Sequence, residues 1–107
     1  MKRIMVLALF VVTTAHADGF PDGSTMGTPE MAKCSAAALK IDMKTWKKWY
    51  AALEKRYSLI YSDKSKEELE AYTLERAIDK KRALNRDGID SKRAFKSYFD
   101  KNCAGEI

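Results

Sequence analysis

The chain has two cysteines, Cys34 and Cys103, and these thiols are its best-equipped residues for chemistry. Soft nucleophilic attack, redox exchange and metal ligation all need a free thiolate. No Cys-x-x-Cys spacing occurs, so a thioredoxin-like redox pair is ruled out. An even count of cysteines in an exported chain reads as one disulfide, which takes both sulfurs out of that chemistry. Two free thiols or an intermolecular bridge are the alternatives. With 68 residues between the cysteines, loop closure alone would contribute roughly 4 kcal/mol. That is a large share of the stability of a small domain.

Histidine, the commonest acid–base group near neutral pH and the commonest metal ligand, occurs once, as His16. It falls in a segment with the order of an export signal. Lys2 and Arg3 come first, then the apolar run Ile4 to Val12, then Ala15-His16-Ala17 as a small-x-small cleavage site. The apolar run is about half of the roughly 20 residues needed to cross a membrane. Cleavage after Ala17 would remove 17 of the 107 residues and leave 90, with 18 basic and 15 acidic side chains and a net charge of +3. The pI of about 9.2 for the whole chain overstates the basicity of that product. Without His16 there is no Ser-His or Cys-His pair and no ordinary zinc site. A carboxylate-pair glycosidase is the catalytic chemistry left over, and 90 residues offer little room for its cleft. The expectation is a non-enzyme with no metal and no small-molecule cofactor.

Three other constellations invite a functional reading. Asn85-Arg86-Asp87-Gly88-Ile89-Asp90 echoes the middle of an EF-hand loop, yet placing Gly88 at loop position six puts Ala83 at position one, where calcium needs a carboxylate. A helix C-cap followed by an N-cap explains the same residues. Met26, Met31 and Met43 have no spacing that converges on one helix face for a soft metal. The basic set Lys40, Lys44, Lys47 and Lys48, beside Trp46 and Trp49, is the candidate face for a partner or an anion; a solvated helix face above a tryptophan-rich core is the more ordinary account of it. A second basic cluster, from Lys80 to Lys96, is interspersed with Asp79, Asp87 and Asp90. Nucleic acid would call for a stronger net charge than this chain carries, so it is not expected as a partner.

The elements that must position these residues read as helices throughout. Residues 18–27 (DGFPDGSTMG) are rich in glycine and read as a flexible or loosely docked arm. Thr28-Pro29-Glu30 starts the first helix, with threonine as N-cap and proline at the first helical position, and Ile41-Asp42-Met43 marks a kink or break. The next segment is amphipathic, with Trp46, Tyr50, Leu53, Tyr57 and Ile60 on one face, Trp49 and Tyr61 flanking it, and lysines opposite. It should stop near Tyr61. Ser65 and Glu68 form a capping box that opens a helix to about Arg86. Leu69, Tyr72, Ala83 and Leu84 mark one side of that helix and Ala71, Leu74 and Ile78 the other, the pattern of a helix sandwiched between neighbours. Asp87-Gly88 ends it. Asp90 or Ser91 caps a last helix carrying Phe95, Tyr98, Phe99 and Cys103.

The fold class expected is all-α: a bundle of three to four helices closed by a Cys34–Cys103 bond. The domains are a signal peptide over 1–17, an arm over 18–27 and one helical domain over 28–107. Trp46, Tyr50, Leu53, Tyr57, Leu74, Ile78, Phe95 and Phe99 should dominate its core. By elimination, the function expected is an exported, non-catalytic binding protein of the cell envelope, periplasmic or secreted. It would dock on another protein as inhibitors, immunity proteins and secretion accessories do. A periplasmic folding helper or stress chaperone, loosened when its carboxylates neutralise in acid, is an alternative. A binder of anionic lipid or lipopolysaccharide through the lysine face is the other.

Overall fold

The computed structural model describes residues 22–107; the expected signal peptide and the first four residues of the arm lie outside the described residues. Four helices follow in order: α1 (Thr28–Leu39), α2 (Met43–Ile60), α3 (Lys66–Arg86) and α4 (Lys92–Asn102). No strand occurs among the described residues. None of the described helices is long and apolar enough to cross a membrane.

Local chemistry sets most of the boundaries. Asp42 caps α2 by accepting a 2.7 Å hydrogen bond from the Thr45 amide, so the break expected at Ile41–Met43 is a turn between two helices. At the start of α3 the capping box is complete: the Glu68 amide donates to Ser65 Oγ at 3.1 Å and the Ser65 amide to Glu68 Oε1 at 2.8 Å. Ser91, rather than Asp90, caps α4 through the Ala94 amide. Gly88 follows α3 at φ +92°, a left-handed conformation that glycine adopts without a Cβ penalty. The start of α1 differs from expectation. Gly27 is the N-cap there, with no side-chain cap, because the Thr28 hydroxyl is turned to the Arg56 guanidinium 3.2 Å away.

Helix α1 is the hub. It packs on α2, α3 and α4, while α2 and α3 also pack on each other. Seven of its twelve residues are buried, five of them Ala or Ser: Ala32, Ser35, Ala36, Ala37 and Ala38. Side chains this small let three helix axes approach one helix. The one hydroxyl in the set is satisfied, donating between the carbonyls of Met31 (2.9 Å) and Trp49 (3.2 Å). Around this hub, Met31, Cys34, Trp49, Leu53, Tyr57 and Cys103 form one apolar cluster. Ala36, Ala37, Leu84 and Phe95 form a second.

The expected core needs correction at five places, Trp46, Tyr50, Leu74, Ile78 and Phe99, the last half-buried against both clusters. Leu53, Tyr57 and Phe95 are buried, but Trp46 and Tyr50 are only half-buried. Trp49 is the interior tryptophan, 2% exposed, because α1 lies against the Trp49 side of the α2 stripe. Leu74 is 44% exposed and Ile78 half-buried, so α3 is covered on one side and not sandwiched. The reason is the course of α4, which returns along α1 instead of crossing the outer side of α3.

Cys34 and Cys103 are bonded, with Cα atoms 5.7 Å apart, and both are 1% exposed. The bond ties the middle of α1 to the residue that caps α4. An internal disulfide of this kind is consistent with folding in an oxidising compartment.

Two outcomes follow from the hub. Replacing both cysteines by serine should lower unfolding stability by about 4 kcal/mol in urea titration. It should also make the amides of α4 exchange with deuterium before those of α2 and α3; an unchanged exchange order would show that the bond is not what holds α4. Ala37→Leu adds volume where α1 is closely approached and should destabilise by about 1–3 kcal/mol on the same titration.

Candidate docking site

Lys40, Lys44, Lys47 and Lys48 are all exposed, but the fold does not make them one site. Lys40 is the C-cap of α1 and Lys47 looks out from α2. Lys44 and Lys48, one helical turn apart and so on the same side of α2, stand together over a groove. Its remaining lining is Thr45, Trp49, Phe99, Ala104, Gly105 and Ile107, and its volume, open to solvent, is about 470 Å³. Trp49 and Phe99 meet edge to face in it, centroids 5.7 Å apart, a favoured geometry for aromatic rings.

The far wall is the C-terminal tail. Cys103 caps α4, the Ala104 amide donates to the Phe99 carbonyl at 3.0 Å and the Glu106 amide to the Cys103 carbonyl at 3.0 Å. Gly105, at φ +83°, turns the chain so that Ile107 packs on the cluster around Trp49 and Cys103. Residues 104–107 carry no pattern that marks a wall in the sequence. The one available signal is a lone apolar residue, Ile107, just past a disulfide and a glycine. The groove thus has a recessed aromatic floor, a lysine rim, and a wall held by the Cys34–Cys103 bond.

A second polar centre is structural. Arg56, 1% exposed, forms an ion pair with Asp22, whose side chain is 5% exposed. Its Nε donates to Oδ2 at 2.7 Å and its Nη2 to Oδ1 at 3.2 Å, while Nη1 donates to the Met26 carbonyl at 2.8 Å. The two-pronged geometry suits a guanidinium and a carboxylate. The Ser24 amide donates to Asp22 and the Met26 amide to Ser24 Oγ. The described part of the arm, Asp22 to Gly27, is therefore tied to α2 and α1. Sequence reasoning missed this site because an arginine within an amphipathic helix reads as surface. Its position beside the Trp49 and Leu53 stripe is the only hint. The hydrogen bond from Arg56 holds the Asp22 carboxyl below its usual range, against the opposing effect of burial.

The third cluster is phenolic. Tyr57, Tyr61 and Tyr72 meet in tilted and edge-to-face pairs, Tyr72 lying 4.9 Å from Tyr57 and 5.2 Å from Tyr61. The Tyr61 and Tyr72 hydroxyls are 3.2 Å apart, and the Lys64 ammonium lies over both rings at 5.3 and 5.0 Å, a cation–π arrangement. Burial pushes the Tyr57 phenol up to about 12, and the Tyr61 hydroxyl hydrogen-bonded to Tyr72 raises the latter's value also. These two phenols stay protonated at neutral pH and join α2 to α3. No group of three or more His, Cys, Asp or Glu side chains is placed to hold a metal ion among the described residues.

The Asp22–Arg56 pair makes stability depend on pH. The folded-state carboxyl is lowered, so its contribution is present above the unfolded value of about 3.9 and is lost as pH falls through the folded value. Asp22→Asn should cost about 3 kcal/mol at pH 7, with the gap to the parent chain closing below about pH 4. Urea titrations at several pH values check this, and a gap of constant size down to pH 2 would exclude an ionic pair.

Comparison of the chain with protein-family models, with curated proteins and with solved structures finds no match.

Proposed function

We propose that this chain is a small exported, non-catalytic binding protein of the cell envelope, periplasmic or secreted, that docks on a partner protein. The docking surface is the groove between Lys44, Lys48 and the C-terminal tail. The ligand class is an acidic segment of the partner that carries a protruding apolar side chain. The supporting observation is the combination of a recessed aromatic floor, Trp49 and Phe99, with two lysines on its rim. An apolar side chain entering the groove removes the accessible nonpolar area of Phe99, Ala104 and Ile107 from water, and carboxylates beside it meet Lys44 and Lys48. The disulfide fixes the tail wall before binding, which lowers the ordering cost of association.

The test uses the oxidised chain as bait in envelope extract, together with two charge-reversed forms. Lys44→Glu with Lys48→Glu should weaken the captured protein's affinity at least about tenfold. Lys92→Glu with Arg93→Glu, on α4, should leave it unchanged. In parallel, co-sedimentation with anionic and neutral vesicles at two salt concentrations reads the lipid alternative. Failure to capture a protein, capture indifferent to the Lys44 and Lys48 reversal, or salt-sensitive binding to anionic vesicles alone would each overturn the proposal.

A further inference from the structure

Two connections and four helix ends come together at one end of the bundle. Residues 40–42 join α1 to α2 and residues 87–91 join α3 to α4. Ala36 and Ala37, toward the end of α1, pack with Leu84 near the end of α3 and Phe95 near the start of α4, which sets those helix ends side by side. The Asp42 carboxyl, held below its usual range chiefly by the Thr45 amide, also feels the charges of Lys44 on α2 and Lys92 on α4.

Basic side chains are concentrated at this end. Residues 40–48 and 80–93 hold ten lysines and arginines against three acids, Asp42, Asp87 and Asp90, a net of +7. The rest of the described chain has eight bases against eleven acids, a net of −3, and Glu67, Glu68 and Glu70 open α3 at the opposite end. Eight of the ten bases are exposed. Among the described residues only Arg82 of the ten is in an ion pair, with Asp79. One large apolar side chain stands with them. Met43, the first residue of α2, is 62% exposed, more than any other large apolar residue described. Lys44 follows it, and Lys47 lies one helical turn on, on the same side of α2.

Charge spread over four elements suits a field of many small anions better than one point ligand. A soluble polyanion would use the bases and leave Met43 in water. A layer of anionic lipid headgroups uses both, because it attracts bases brought near it and admits an apolar side chain between headgroups. We infer that this end of the bundle is a contact surface for anionic lipid headgroups, met end-on, with Met43 entering the headgroup layer. The end carrying Glu67, Glu68 and Glu70 is then turned away from the lipid. The surface is separate from the protein-docking groove, since Lys40, Arg86, Lys92 and Arg93 are not part of the groove's lining.

Co-sedimentation of the oxidised chain with vesicles of phosphatidylglycerol and phosphatidylethanolamine tests this, with phosphatidylcholine vesicles and soluble polyphosphate alongside. Binding to the anionic vesicles should fall with added salt and be absent on phosphatidylcholine. Lys40→Glu with Arg86→Glu, and Lys92→Glu with Arg93→Glu, should each weaken it at least about tenfold; all four positions are exposed, so helicity and melting should match the parent chain. Lys55→Glu with Lys66→Glu makes the same change in net charge toward the other end and should alter binding less than about twofold. Met43→Trp enlarges the apolar side chain and should tighten vesicle binding about tenfold with no change on polyphosphate. Vesicle binding is read without any partner protein, so it succeeds or fails whatever the groove captures. No binding to anionic vesicles would overturn the inference. So would equal losses from charge reversal at either end, or a Met43→Trp chain that binds vesicles no more tightly.

Discussion

The fold depends on how closely other helices can approach α1. Three helices must share a cylinder only twelve residues long, and each axis can come near only where the intervening side chains are short. The run Ser35-Ala36-Ala37-Ala38 meets that demand, with the Ser35 hydroxyl bonded to carbonyls of both α1 and α2. Large residues are therefore supplied by the neighbours: Trp49, Leu53 and Tyr57 from α2, Leu84 from α3, Phe95 from α4. The division of labour explains why a helix of low apolar bulk lies at the centre while the aromatic-rich α2 keeps half its surface in water.

The disulfide acts on the same centre. Helix α4 packs chiefly on α1, with the Trp49–Phe99 ring contact as its link to α2. A short helix with one principal neighbour loses little contact area when it frays. A covalent tie at its C-cap counters this loss, and it extends the order to the four residues that follow. The groove wall therefore owes its position to Cys103, and an apparently structural bond also shapes the groove beside Lys44 and Lys48.

Elements and their ends were legible where local chemistry decides them. The Ser65–Glu68 box, the Asp87-Gly88 stop, the break at Ile41–Met43 and the Phe95–Cys103 stripe all follow from contacts within a few residues in sequence, as does the cysteine pairing from count and compartment. What was not legible is which side of a two-sided element the tertiary fold covers. The α2 stripe is wide enough to be turned toward Trp46 or toward Trp49, and the position of α1 decides for Trp49. The α3 pattern is consistent with burial of either side or both, and the route of α4 decides for one. Arg56 was illegible for a different reason. Its burial depends on Asp22, 34 residues away in a glycine-rich stretch, and nothing local signals a carboxylate at that distance. Of the lysine set, helical spacing puts Lys44 and Lys48 together, but their groove exists only because the tail folds back beside them.

The uncovered side of α3 and the small residues of α1 are two consequences of one geometry. A helix surrounded by three others is used up on most of its circumference, so the helices around it must keep one face each for solvent. On α4 that outer face carries the exposed Lys96–Asp100 pair, and on α2 it carries lysines together with the exposed Met43, Leu59 and Ile60. In α3 it carries Ala71, Leu74 and Ile78 among Glu75, Asp79 and Arg82. The four helices offer nothing further to cover that face, because α4 is already committed to α1 by packing and by the disulfide. An apolar face that the fold's own topology prevents from being covered internally has to be wetted or covered by another chain.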